Sequence, residues 1–196
     1  MRVSLKSNQT ALLIVHLQPD IIEPGTAFGD LFAPEAARKS VVAQTNRAAK
    51  SIRAFGGTVV ALRIAFSANY RQLNPSIPLL RMAQEANSLV DGTKNADFVP
   101  ELDLTPEDIL LTHHRPGPFT GTALEGLLRD RNIQNVIVGG VATNASVEST
   151  VRQSSDLGFN TYILIDASSA ADEATHEASL SSMDLFASRI ATDELI

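Results

Sequence analysis

"VIVGGVATNASVESTVRQSSDLGFNTYILIDASSA", residues 136–170, decides how this chain folds. It opens with an apolar run that closes on the pair Gly139–Gly140. A small-residue elbow follows, and then a helical stretch over 144–158 that stops at Gly158, a residue suited to a helix C-terminus. A second apolar run covers 161–167. Apolar runs without polar alternation read as strands buried on both faces. Strand, helix, strand at this spacing is a βαβ unit, and its two strands run parallel. The elbow then lies beyond the carboxyl end of the first strand, where many α/β hydrolytic enzymes carry a nucleophile. Ser146 stands at that elbow.

The same pattern extends outward. "ALLIVHL" (11–17), "TVVALRIAF" (58–66) and "DILLTHH" (108–114) read as further buried strands, and 188–192 as a last edge strand. Helices are expected over 34–56, with Pro34 near the first turn and a stop at Gly56–Gly57, and over 122–132 and 171–187. Alternating strands and helices imply an α/β fold with a parallel sheet covered on both faces. The stretch 67–107, with prolines at 75, 78, 100 and 106, reads as loop of the kind that forms lids or binding loops. No repeat, low-complexity segment or linker divides residues 1–196, so one domain is expected.

Composition removes several classes of function. The chain has no cysteine, which excludes disulfides, thiolate zinc sites and a thiol nucleophile. A net charge of −6 without basic, aromatic-interleaved runs argues against nucleic acid. No apolar run approaches the ~20 residues of a membrane span. No apolar signal-peptide core follows the polar start "MRVSLKSNQT", so a cytoplasmic protein is expected.

Ligands of open parallel sheets sit beyond the carboxyl ends of the strands. There the first strand delivers His16, Gln18 and Asp20, the third delivers His113, His114 and Arg115, and the fourth delivers the elbow. Ser146 has two readings: a nucleophile once a base takes its proton, or a small polar residue at a helix start. His16 is either that base, oriented by Asp20 or a backbone carbonyl, or a hydrogen-bonded core residue. His113 and His114 are neighbours on a strand, so one faces the crevice and the other turns away. Arg115 pairs with a carboxylate of substrate or protein. Phe28, Phe32, Phe66, Tyr70 and Phe119 wall a pocket or fill the core. His16, His113 and Asp20 are ligand types of catalytic zinc, but no His-x-x-x-His spacing supports a site, and neither metal nor organic cofactor is assigned. A phosphate-binding G-x-x-x-x-G-K-[ST] loop is absent, and "FGGT" at 55–58 is a helix stop.

Four blocks in order, "TALLIVHLQPDII", "HHRPGPFTGTALEGLL", the opening stretch and "HEASL" with His176, resemble the isochorismatase-like hydrolases, the cysteine hydrolase superfamily. The resemblance covers nearly the whole chain. It implies a Rossmann-like three-layer αβα sandwich on a mostly parallel six-stranded sheet, with a cis peptide between Val141 and Ala142. The family's aspartate, lysine and cysteine positions fall on His16, His113 and Ser146 here. Gln18, Asp20, Phe119, Gly121, Thr122, Gly140, Thr143 and His176 keep the family's scaffold pattern. By this likeness Ser146 attacks, His16 takes the proton, His113 holds or polarises the substrate, and the Ala145 and Ser146 N–H groups form the oxyanion hole. Gln18, Asp20, Arg115, Phe119 and Thr143 are expected in the substrate pocket. The implied substrate is a small amide, ester or enol ether, and the implied assembly a homodimer or homotetramer. The alternative, drawn from three changed positions, is an inactive member that serves as a small-molecule binding or assembly protein.

Overall fold

The computed structural model describes Leu5 and residues 7–195. Six strands, β1 (Thr10–Val15), β2 (Thr58–Ile64), β3 (Ile109–His113), β4 (Asn135–Val141), β5 (Asn160–Ser169) and β6 (Ser188–Ile190), form one sheet. Their order is β3-β2-β1-β4-β5-β6, and every neighbouring pair is parallel. Along β1, Leu12 and Ile14 point into one core, whereas Ala11, Leu13 and Val15 point into the other. Period-two alternation between two apolar layers is why residues 11–15 carry no polar side chain.

After the short α1 (Pro19–Ile22), the first core is closed by α2 (Gly29–Arg38) and α3 (Val41–Ala54) through Phe32, Ala36, Ala48 and Ile52. The second is closed by α5 (Leu124–Asp130), α6 (Glu148–Asp156) and α7 (Glu173–Met183) through Leu124, Leu128, Val151, Leu180 and Met183. The result is the three-layer α/β sandwich. Among the described residues no helix is long and apolar enough to cross a membrane.

Strand order reverses between β1 and β4. The chain runs outward from β1 through β2 to β3, returns to β4 on the other side, and continues to β5 and β6. Such a reversal opens a crevice beyond the strand ends. His16 follows β1 there, and the elbow follows β4. The two strands lie so close that a Cβ on Gly140, at φ +126°, would sit 2.0 Å from the Val15 carbonyl oxygen. Only glycine fits.

Two sequence expectations change. The helix expected over 34–56 is two helices, and Pro34 lies inside the first instead of near its start. The break is at Ser40, in the left-handed region at φ 52°, immediately before α3. Apolar spacing continues across the break and serine is not a usual left-handed residue, so the pattern hides it. The stretch 67–107 holds a short α4 (Pro78–Glu85), with proline at the start of the helix, and Phe66 bridges to Val90.

Candidate active site

His16 leaves β1 with φ 56°, its N–H bonded to Leu62 O at 3.0 Å. A non-glycine residue in that region is uncommon and is found preferentially at functional positions. The backbone turn swings the ring over His113, with ring centroids 4.8 Å apart and Nε2 to Nε2 at 2.9 Å. His113 Nδ1 lies 2.7 Å from the Arg115 carbonyl oxygen. A carbonyl only accepts, so His113 carries its proton on Nδ1, and its Nε2 is an acceptor. His16 therefore donates from Nε2 and presents a lone pair on Nδ1. Two neutral imidazoles and one carbonyl fix both tautomers.

The Arg115 guanidinium donates to the carbonyls of Gln72 (2.6 Å) and His114 (2.8 Å), which holds the segment bearing that carbonyl. His114 turns away, with Nδ1 2.7 Å from Ala65 O.

Both imidazoles are buried, and both are held neutral. Burial lowers His113 to about 4, against the pull of its bond to the Arg115 carbonyl. Burial, and then His113, push His16 well below the ordinary histidine value. Protons bind the unfolded chain more tightly than the native site between pH 6.5 and about 4, so stability falls as the solution is acidified through that window. For His113 alone the loss is about 3 kcal/mol. Chemical denaturation across this range should show the loss, and a His113→Gln variant should show it reduced. An equal loss in both proteins contradicts the assignment.

Ser146 sits in a turn, Thr143–Val147, of the wider i→i+5 kind, in which Val147 N–H donates to Ala142 O at 3.2 Å. Such turns concentrate at functional sites. Ser146 is buried, and among the described residues no hydrogen bond reaches its hydroxyl; Thr150 Oγ1 donates to its carbonyl at 2.6 Å. Val141–Ala142 is cis, as the family likeness implies. The Ala145 N–H, one of the two expected oxyanion donors, is already given to Ala142 O at 3.1 Å.

His16 and Ser146 meet in the wall of one cavity of about 40 Å³. The rest of its lining is apolar and includes Phe28 and Phe32, Leu79, Leu80 and Leu89, and Ala142 and Ala145 of the elbow. The leucines come from the stretch that reads as loop. Proline at the first position of α4, ahead of Leu79–Leu80, was the signal available for them.

The residues expected to line the pocket build its frame instead. Gln18 is fully buried; its Nε2 donates to Ile64 O (3.0 Å) and Ala96 O (2.7 Å), and its Oε1 accepts from Ile64 N–H (2.8 Å). Asp20 accepts from Leu89 N–H at 2.6 Å, and so does not orient His16. Phe119 lies against the second core, beside Phe159. Phe66 and Tyr70 belong to the first core, outside the cavity wall. His113 is fully buried and does not line the cavity, so it reaches substrate only through His16. Thr143 Oγ1 lies 2.8 Å from His176 Nδ1, and Lys39 Nζ lies 2.9 Å from His176 Nε2. An ammonium only donates, so His176 is protonated on Nδ1 and donates to Thr143, which ties the elbow to α7. Sequence reading gave no sign of Lys39.

The His16–His113–Asp20 metal set is not assembled. The two ring nitrogens share a proton at hydrogen-bond distance, and Asp20 is engaged elsewhere. The grouping of metal-ligand type among the described residues is Glu173, His176 and Glu177. There Lys39 Nζ takes the place of a cation beside the ring.

The isochorismatase domain family matches residues 10–194. An isochorismatase family protein of Escherichia coli O157:H7 is 33% identical over 186 residues, covering 91% of this chain and 89% of that one. A ureidoacrylate amidohydrolase of Stutzerimonas stutzeri (strain A1501) is 28% identical over 197 residues, covering 94% and 79%. Among solved structures, a cysteine hydrolase from Pseudomonas syringae pv. phaseolicola 1448A superposes with a TM-score of 0.86 at 21% identity, covering 100% and 93%. An isochorismatase family protein from Desulfovibrio vulgaris subsp. vulgaris str. Hildenborough gives 0.83 at 23% identity, covering 96% and 97%. With the family matched over residues 10–194 and a 33% identical member aligned over most of both chains, this chain belongs to the isochorismatase family.

Proposed function

We propose that this chain is a hydrolase of a small neutral ester or amide, with Ser146 as nucleophile, His16 as general base and His113 as the residue that positions His16. The observation that carries the proposal is the buried proton chain from His16 Nε2 through His113 to the Arg115 carbonyl. It leaves His16 neutral, with an unprotonated Nδ1, in the same cavity wall as the Ser146 hydroxyl. Ser146 Oγ attacks the acyl carbon as its proton passes to His16. The imidazolium, of low pKa because it is buried, readily returns that proton to the leaving group. Water then repeats the cycle on the acyl-serine. A relative that is an amidohydrolase supports acyl chemistry on this scaffold. His16 and Ser146 are the polar side chains of the wall, so no carboxyl is present to protonate an enol ether.

The role of His113 is separable from packing. In His113→Leu the His16 Nε2–H loses its buried acceptor, which is costly, and the tautomer is no longer fixed. We expect kcat for a short-chain ester to fall at least about tenfold with KM little changed, and His113→Gln, which keeps an acceptor, to recover part of it. Equal activity of the leucine variant and the wild type contradicts the proton chain.

A second reading, binding without turnover, is favoured by the unbonded Ser146 hydroxyl and the engaged Ala145 N–H. Saturable melting shifts with small amides, combined with no hydrolysis of any ester or amide tested, select it.

A further inference from the structure

We infer that the site takes a short, uncharged acyl group, of about three or four carbons, and that Phe32 and Leu79 set its length limit. This rests on the reading of the cavity as the acyl site of a hydrolase and names the substrate class.

Three observations carry it. The first is chemical: besides His16 and Ser146 the wall is apolar, and no lysine, arginine, aspartate or glutamate belongs to it. The guanidinium of Arg115, two residues after His113, is committed to two backbone carbonyls. An acyl chain ending in a carboxylate or an ammonium would lose its water here and gain no counter-charge, a large penalty. The neutral imidazole pair does not compensate it.

The second observation is size. A cavity of about 40 Å³ holds roughly three water-sized spheres. A propionyl or butyryl chain fits beside the serine, and a longer chain outgrows this volume. The third is what makes the wall. Phe28, Phe32 and Leu80 are buried in the first core, so they cannot swing aside freely. Leu79 is only partly buried, on a short helix.

The test separates binding from turnover. Isotope-labelled Ser146→Ala protein, which cannot acylate, is titrated with butyramide, butyrate and hexanamide and followed by NMR. We expect butyramide to saturate residues around Ala142 and Ala145, and butyrate and hexanamide to bind at least about tenfold more weakly, the step that 1.4 kcal/mol represents. Leu79→Ala, in the same background, should bring hexanamide to within a few-fold of butyramide. Phe32→Ala should do the same, and Leu79→Ala decides the matter where Phe32→Ala fails to fold. Butyrate binding as tightly as butyramide, hexanamide binding as tightly before truncation, or no response to butyramide overturns the inference. If the amides obey the rule while wild-type protein hydrolyses no butyryl ester, the acyl class stands and the hydrolytic reading falls. If esters are hydrolysed with no preference for length or charge, the hydrolytic reading stands and this inference falls.

Discussion

Ser146→Ala should lower kcat for a short neutral ester by at least about 10³-fold, with KM changed by no more than a few-fold. The hydroxyl is the atom to which the acyl group transfers, and alanine cannot accept it. Everything else that binds substrate, the apolar wall and the elbow backbone, is left in place. Among the described residues the serine side chain holds no hydrogen bond, so its loss orphans no partner and the fold should tolerate it. Initial rates over a substrate series, with a thermal melt as the folding control, measure this. A variant that melts like wild type and keeps its kcat removes Ser146 from the chemistry.

Removing His16 should be nearly as damaging, about 10²- to 10⁴-fold in kcat, the usual contribution of a positioned base. The informative variant is His16→Gly, because φ 56° suits glycine better than any other residue. The imidazole-sized space left behind invites chemical rescue: added imidazole should restore part of the lost rate in a saturable way. The wild-type pH profile follows from the same assignment. Only neutral His16 accepts the serine proton, and burial lowers its pKa. Rate should therefore be flat through neutrality and fall only on acidification below the ordinary histidine range. A rate that climbs through pH ~6.5–8 contradicts a depressed His16, and an unrescuable His16→Gly with native stability contradicts His16 as the base.

Residues 136–170 spelled out the βαβ unit because their apolar runs are buried on both faces and their glycines mark real punctuation at Gly140 and Gly158. The crevice was legible for the same reason: strand ends deliver His16 and the elbow wherever the order reverses. The contacts within it were not. Nothing in the order of residues says that His113 bonds to His16 or that Arg115 contributes its carbonyl oxygen more than its charge. Gln18, Asp20 and Thr143 stand next to the site in sequence and in space, yet each spends its polar atoms on the frame. Buried polar groups must be paired, and for these three the partners came from other elements, 33–78 residues away. The cavity wall was hidden for another reason. Leu79, Leu80 and Leu89 lie in a stretch rich in proline and polar residues, where the one α-helix is only eight residues long and its periodicity is easily lost among its neighbours.

The central claim is that Ser146 carries the acyl group, and trapping that intermediate tests it most directly. Wild-type protein is mixed with a butyryl ester, quenched in acid within the first turnovers, and analysed by intact-mass and peptide mass spectrometry. The proposed mechanism predicts one added butyryl group per chain, on the peptide that contains Ser146, absent from Ser146→Ala and slow to form in His16→Gly. Turnover with the ester and no acyl group on Ser146, or an acyl group on another residue, contradicts it.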